Sequence, residues 1–274
     1  MKAIIASKKD AAGMNIREQL LSLFDFKETT EKFETNPVFE FKDILLYTAE
    51  TESIYLENVD KKIDADLFVF ATKHQSKEGV HSLSCHAPGN WNKADFGGKD
   101  RTLCVSSAVY LKNAFLKLKE LAAHLDYEIT LEATHHGPVV GKPCFFIEIG
   151  SNEEQWQNKE AGEIIAKTIM HALQNDSGKK YKIALGLGGL HYCPTFNKVM
   201  ERTDIALGHI CPKYHLEKLD KEMLQQGIEK IKEKTDFVLL DWKGMGKEKQ
   251  RIIDLLNELN IPFERTDKIG YFSP

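Results

Sequence analysis

The chain has 274 residues and a formal net charge of −4 at pH 7. That length suits one large α/β domain or two small ones, and the charge excludes a protein that binds nucleic acid through an overall positive surface. No apolar run reaches the ~18 residues of a membrane helix, and the apolar start is too short for a signal peptide, so a cytoplasmic location is expected. The five cysteines form no CxxC pair, which argues against a zinc ribbon and a disulfide framework.

Apolar periodicity predicts strands that alternate with helices along most of the chain. The predicted strands are 1–7, 39–48, 53–56, 66–72, 127–134, 144–149, 181–187, 204–210, 237–242 and 261–265. The predicted helices are 14–24, 108–125, 160–174, 216–232 and 247–259. This alternation predicts a single α/β domain over residues 1–274, with a mixed, mostly parallel sheet flanked by helices.

A first polar cluster follows the strand 66–72 and contains His74, His81 and His86. Successive side chains of an extended segment point to opposite faces, so His81 and His86 face apart unless the strand ends or bends between them. A turn at 87–90 places His86 at a strand end. Metal binding or proton transfer is favoured for this cluster, and the alternative is a polar strand whose histidines bond to the backbone.

A second cluster contains Glu132, His135 and His136 and ends in a Gly-Pro turn at 137–138. Strand alternation predicts that Glu132, Thr134 and His136 share one face, while His135 points the other way. A carboxylate beside an imidazole can bind a metal or orient a base. Such a function is favoured over the alternative, in which one histidine packs on the turn and the other lies on the surface.

Two further features admit a functional and a structural interpretation. Glu148 lies in an apolar strand, and it either belongs to the site or faces solvent. Gly186, Gly188 and Gly189 follow a strand and precede His191. Backbone amides of such a loop can approach a phosphate or an oxyanion, although tight turns use the same residues.

Together these segments resemble the archaeal-type D-aminoacyl-tRNA deacylase family. The resemblance is carried by 81–90, 132–138, 148–151 with Trp156, 186–192 and 208–209, and it extends over essentially the whole chain. It implies an enzyme that hydrolyses the ester between a D-amino acid and the 3′-terminal ribose of tRNA. It also implies a zinc ion, a monomer, no membrane, and a fold similar to peptidyl-tRNA hydrolase and purine nucleoside phosphorylase.

Chemistry, rather than the resemblance, assigns roles to individual residues. The expected zinc ligands are His81, His86, Glu132 and His136. The expected catalytic residues are His74, Glu132, His135 and His136. The glycine loop 186–189 is expected to bind the ligand and to stabilise the oxyanion, while His74 or His191 orients the leaving ribose. Discrimination against L-aminoacyl-tRNA would come from pocket shape at the α-carbon.

Two other functions remain open at this point. The first is a nucleoside phosphorylase, in which the glycine loop binds phosphate and turnover depends on phosphate. The second is a non-catalytic module that binds the tRNA end and uses its histidines structurally. Assays with and without phosphate, and at several metal concentrations, separate these functions from ester hydrolysis.

Overall fold

The computed structural model describes residues 1–76, 79–174 and 179–272. The strands are β1 (Lys2–Ser7), β2 (Lys27–Phe33), β3 (Asn36–Phe41), β4 (Ile44–Ala49), β5 (Leu67–Gln75), β6 (Ser82–His86), β7 (Gly89–Asn90), β8 (Thr102–Leu103), β9 (Glu128–Leu131), β10 (Cys144–Ser151), β11 (Lys182–Leu187), β12 (Ile205–Cys211), β13 (Phe237–Leu240) and β14 (Phe263–Arg265). The α-helices are α1 (Ala11–Leu23), α2 (Ala108–Leu121), α3 (Glu153–Trp156), α4 (Lys159–Gln174), α5 (Pro194–Arg202), α6 (Lys213–Leu216), α7 (Lys221–Glu229) and α8 (Lys249–Glu258).

Within these described ranges, the larger sheet has eight strands in the order β2-β3-β4-β1-β5-β10-β6-β9. Its centre, β4-β1-β5-β10, is parallel, and so is the edge pair β6-β9. The strand β6 runs antiparallel to β10, and β2, β3 and β4 form an antiparallel meander. The predicted class, α/β with a mixed and mostly parallel sheet, is confirmed.

A second sheet of four parallel strands, in the order β12-β11-β13-β14, was not expected as a separate unit. One continuous apolar cluster joins it to the larger sheet. That cluster contains Val69 and Phe145 from the larger sheet, Leu207 and Leu239 from the smaller one, and Phe115 from α2. Each such buried side chain contributes about 1.5–3 kcal/mol relative to an exposed one, so the shared core holds the sheets together.

Three local predictions are wrong near the amino terminus and after β12. The predicted strand 39–48 is two strands, because Lys42 adopts a left-handed backbone (φ 58°) and turns the chain between β3 and β4. The predicted strand 53–56 contains a single turn of 3₁₀ helix instead. The predicted helix 216–232 is shortened to α7, because Asp220 accepts a hydrogen bond from the amide of Met223 and caps the start of the helix there.

No helix in the described part of the chain combines the length and the apolar character needed to cross a lipid bilayer.

Candidate active site

Three neighbouring strands of the larger sheet present polar side chains on one face. Thr72 and His74 come from the end of β5, Glu148 from β10 and His86 from the end of β6. The strand register pairs Thr72 with Glu148, and it pairs His86 with Phe146, which lies two residues before Glu148 on β10. Because side chains alternate with a period of two, these groups share the face that also carries Phe146.

The second cluster crosses from the larger sheet to the smaller one. The amide of Glu132 donates to the carbonyl of Cys85 in β6, and the amide of Thr134 donates to the carbonyl of Ile210 in β12. The strand β9 ends at Leu131, and His136 adopts a left-handed backbone (φ 45°). The strict alternation predicted for this segment is therefore wrong.

As a result, both histidines of the second cluster reach the same place. The ring of His86 lies 4.2 Å from the ring of His135 and 4.9 Å from that of His136, measured between centroids. Thr134 instead points away from the cluster, and its hydroxyl lies 3.1 Å from Nδ1 of the buried His209.

Glu132 is one of two buried carboxylates at the centre of the site. Its Oε2 accepts a hydrogen bond from Nε2 of His191 at 3.0 Å and lies 3.6 Å from Nε2 of His135. Its Oε1 lies 3.2 Å from Nδ1 of His74. The three imidazoles surround a carboxylate whose side chain has no solvent-exposed surface.

Glu148 is the second carboxylate, and the structure places this residue, which the sequence left undecided, in the site. Its Oε1 accepts a hydrogen bond from the hydroxyl of Thr72 at 2.8 Å and lies 3.6 Å from Nε2 of His86 and 3.9 Å from Nε2 of His136. Its Oε2 lies 3.5 Å from Nδ1 of His74. Nδ1 of His74 therefore lies between both carboxylates.

The backbone fixes which nitrogen of three imidazoles is free. Nδ1 of His86, His135 and His136 lies 3.2, 2.8 and 2.7 Å from local backbone carbonyl oxygens, to which it donates. This leaves the Nε2 lone pair available on His135 and His136, whose pKa values are lowered by burial, whereas Glu148 outweighs burial and raises the pKa of His86. One possible ligand atom from each of these three residues lies within 4.8 Å of the others.

Burial and charge set the protonation states. Burial and the neighbouring His86 lower the pKa of His136 to about 4, and the same causes hold the pKa of His135 well below its usual range. Burial alone would lower the pKa of His74, but a hydrogen bond with Glu148 and the charges of both carboxylates raise it to about 10. Burial alone would raise the pKa values of Glu132 and Glu148, but the neighbouring imidazoles hold both below the usual range.

Two buried atoms at this centre make no hydrogen bond within the described structure. They are Nε2 of His86 and Oε1 of Glu132. A buried polar atom without such a partner is costly, so each is suited to a ligand, a water molecule or an ion. Three sets of side chains here could hold a metal ion: His86 with His135 and His136; Glu132 with His135 and His191; and His74 with Glu132 and Glu148.

The glycine loop does not present its amides as expected. Gly186 lies within β11, between two neighbouring strands. The amides of Gly188 and Gly189 donate to the carbonyls of Cys211 and Gly244. The predicted oxyanion role of this loop is therefore not supported, and the loop serves instead to bring His191 to Glu132.

His81 does not join the other imidazoles. Its side chain is exposed and its ring packs against Tyr127, with centroids 5.5 Å apart. It precedes β6, whereas His86 ends that strand. Its predicted part in a metal site shared with His86 is therefore not supported.

Sequence reasoning missed two tyrosines. The hydroxyl of Tyr192 lies 3.0 Å from Nε2 of His74, and the hydroxyl of Tyr214 lies 3.3 Å from Nδ1 of His191. Only the position of Tyr192 directly after His191 pointed toward the site. Tyr214 comes from another part of the chain, and no local pattern marks it.

The cluster lies on the floor of a cavity of about 870 Å³, lined by His74, His135, His136, Glu148 and His191 among others. This volume lies within the range of small-molecule sites. In an α/β fold, imidazoles and carboxylates that meet beyond strand ends in such a cavity are typical of an enzyme that moves protons or uses a metal ion. The molecule therefore has the architecture of an α/β enzyme with a histidine- and carboxylate-based centre.

The chain belongs to the D-aminoacyl-tRNA deacylase family, whose model matches residues 61–264. It is 42% identical over 273 residues to the D-aminoacyl-tRNA deacylase of Thermococcus kodakarensis. The matched region covers 97% of this chain and 100% of the relative. It is 41% identical over 271 residues to that of Pyrococcus abyssi, covering 96% and 99%. For Archaeoglobus fulgidus the identity is 36% over 265 residues, covering 93% and 92%.

The fold also matches a solved structure over its whole length. The crystal structure of a conserved protein of unknown function superposes with a TM-score of 0.91 at 31% identity, covering 100% of this chain and 99% of that one. The family that the sequence motifs indicated is thus confirmed by the family model and the relatives.

Proposed function

We propose that this chain hydrolyses the ester between a D-amino acid and the 3′-terminal ribose of tRNA, and that the histidine and carboxylate cluster performs the reaction. The observation that carries this proposal is the convergence of His74, His86, His135, His136 and His191 on two buried carboxylates. Ester hydrolysis needs an activated water, a stabilised oxyanion and a proton for the leaving alcohol. The cluster contains groups suited to each task.

We further propose that His86, His135 and His136 hold a zinc ion. Three imidazoles are a known ligand set of catalytic zinc, and His86 would release a proton from Nε2 on binding, so that this buried, unsatisfied atom becomes a ligand. The backbone carbonyls that accept from each Nδ1 orient the rings, as outer partners of zinc-bound histidines do. When bound, zinc polarises a carbonyl and lowers the pKa of a bound water to about 7.

In this proposal the two carboxylates have different partners and different tasks. Glu132 keeps Oε1 without a hydrogen bond and is the group suited to accept a proton from the attacking water. Glu148 accepts from Thr72 and holds His86 and His74 in position. His74 reaches Tyr192 through Nε2, so a proton for the leaving ribose oxygen can pass along this pair.

The two alternative functions fit the cluster less well. A phosphorylase would have to bind a phosphate anion beside two carboxylates, and like charges about 4 Å apart repel each other by about 4 kcal/mol near a protein surface. The amides of the glycine loop that would offset this repulsion already donate to Cys211 and Gly244. A binding module without chemistry has no need of two buried carboxylates amid five imidazoles.

The proposed partner is the acceptor end of D-aminoacyl-tRNA. We propose a cytoplasmic location, because that is where aminoacyl-tRNA is used and because the cysteines are unpaired, which suits a reducing compartment. A monomeric state remains a prediction that sedimentation would test.

The decisive experiment compares hydrolysis of matched D- and L-aminoacyl-tRNA by metal-stripped and zinc-restored protein. We expect turnover of the D-substrate only, and restoration by zinc. His136→Ala should lower kcat/KM at least about 100-fold, since a positioned catalytic group contributes about 10²–10⁴-fold, and should also lower the zinc content. His124→Ala is the matched control, because His124 is exposed and pairs with Glu160 on the surface.

Two results would contradict the proposal. If His136→Ala hydrolyses D-aminoacyl-tRNA at the wild-type rate, that residue has no part in the chemistry. If stripped protein retains full activity while its zinc content is zero, hydrolysis is metal-independent and the cluster acts by acid–base catalysis alone.

A further inference from the structure

Two aromatic side chains at the mouth of the cavity are open to solvent. Phe96 is 65% exposed and Tyr55 is 48% exposed, yet both line the same cavity as the catalytic cluster. His74 and Glu148, on the cavity floor, are only 8% and 3% exposed. The two rings therefore border the entrance, with the reactive groups beneath them.

The segment that carries Phe96 is firmly attached to the catalytic segment. The carbonyl of Phe96 accepts from the amide of Gly137 at 2.9 Å, and the side chain of Asn90 donates to the carbonyl of Gly97 at 3.0 Å. A Cβ at Gly97 would lie 1.9 Å from the carbonyl oxygen of Ile54, so this close approach requires glycine. The backbones beside both rings thus pack against each other and against the residue that follows His136.

A fixed apolar ring at the mouth of a polar site needs a reason, because exposing it to water is unfavourable. Nucleobases stack on such rings, and this stacking contributes to the binding of single-stranded ends. In D-aminoacyl-tRNA the reacting ester is on the terminal ribose, which also carries the adenine base. With the ester at the cluster, as the proposed function requires, the amino acid would occupy the cavity and the rest of the tRNA would leave through its mouth.

We propose that Phe96 and Tyr55 form a stacking platform for the terminal adenine of the tRNA acceptor end. This inference rests on the proposed deacylase function, because that function places the ester at the cavity floor. The platform binds the leaving nucleoside and positions its ribose over the cluster. It reads the π face of the base and therefore acts equally on tRNAs that carry different D-amino acids.

The first test measures kcat and KM of Phe96→Ala and Tyr55→Ala on D-tyrosyl-tRNA and D-alanyl-tRNA. We expect kcat/KM to fall about 5- to 150-fold per ring, mostly through KM and equally for both substrates, since stacking contributes that much per base. Phe96→Tyr keeps a ring and should retain most activity. Phe272→Ala is the matched control, because Phe272 is 55% exposed and does not line this cavity.

A second measurement does not depend on turnover. Adenosine monophosphate is titrated into the full-length protein and binding is followed by NMR, with ribose 5-phosphate as the probe that lacks the base. We expect adenosine monophosphate to bind more tightly than ribose 5-phosphate, and Phe96→Ala to remove the difference.

Several outcomes would overturn the platform. A loss confined to D-tyrosyl-tRNA would mean that the rings hold the amino acid side chain. Equal binding of the two probes, or adenosine monophosphate binding that Phe96→Ala leaves unchanged, would also refute it. If the wild type hydrolyses neither aminoacyl-tRNA, the deacylase function fails, and the probe titration still shows whether the rings bind adenine.

Discussion

Two buried side chains that can carry a positive charge, His74 and Lys112, differ in what surrounds them. Both are nearly inaccessible, with 8% and 1% of their surface exposed. Nδ1 of His74 lies between the carboxylates of Glu132 and Glu148. Nζ of Lys112 donates instead to the backbone carbonyls of Thr203 and Ile205, at the start of β12, each at 2.7 Å.

This difference in surroundings reverses the direction of the pKa shift. Burial and the charge of Lys179 lower the pKa of Lys112 to about 7, and the charge of Asp204 does not offset them. The carboxylates overcome the same burial effect at His74 and raise its pKa to about 10. Burial of a titratable group is therefore a poor sign of function by itself, and the enclosed countercharges distinguish the active centre.

The test with the largest expected effect removes one of the two negative charges beside His74. Glu148→Gln keeps the shape of the side chain but takes away its charge and changes its hydrogen bonding to Thr72, His74 and His86. We expect kcat/KM for D-aminoacyl-tRNA to fall about 10²- to 10⁴-fold with the fold intact, measured alongside circular dichroism. Glu233→Gln is the control, because Glu233 accepts from the amide of Ala108 at the start of α2, away from the cavity. Equal loss in both variants would contradict the assignment.

Sequence patterns predicted that the two histidine clusters belong to one site, because each follows a predicted strand. They did not predict how the imidazoles meet. His135 and His136 converge because of a left-handed backbone at His136, which is a tertiary outcome of a segment held between two sheets. The glycine loop shows the opposite outcome. Its sequence pattern is typical of anion binding, but the amides of Gly188 and Gly189 donate to backbone carbonyls.

One element that the sequence missed, the strand β2, lacks apolar periodicity. The edge strand β2 is mostly charged and exposed, so its pairing with β3 is set by the meander rather than by a buried face. Glu148 could not be assigned because strand alternation alone does not say which face is covered. A lysine on a helix such as α2 is typical of a solvated face, yet Lys112 is buried and donates to the carbonyl of Ile205 in β12.

The second test concerns stability at Lys112. Its pKa is about 7 in the folded protein and about 10.4 in an unfolded chain, so between these values the unfolded state binds more protons. Stability must then rise with pH across this window, by up to about 1.4 kcal/mol per pH unit. We expect the difference in unfolding free energy between wild type and Lys112→Met to follow this slope in urea titrations from pH 7 to 10.

A matched substitution on the same helix controls for the loss of a lysine. Lys119→Met removes a side chain that pairs with Glu201 near the surface, and it should retain the wild-type pH dependence. If Lys112→Met shows the same pH dependence as wild type, the amine is charged in the folded protein and the contrast with His74 fails.

The smallest expected effect concerns Nε2 of His74, the ring nitrogen that does not lie between the carboxylates. Tyr192→Phe removes the hydroxyl that lies 3.0 Å from Nε2 of His74 and leaves both carboxylates in place. Because a hydrogen bond to a charged group contributes about 1.5–3 kcal/mol, we expect kcat to fall about 13- to 160-fold while KM stays constant. Tyr271→Phe loses a hydroxyl that donates to the carbonyl of Thr266 outside the cavity, and kcat should not change. A loss as large as that of Glu148→Gln would make Tyr192, rather than the carboxylate pair, the main determinant of proton transfer at His74.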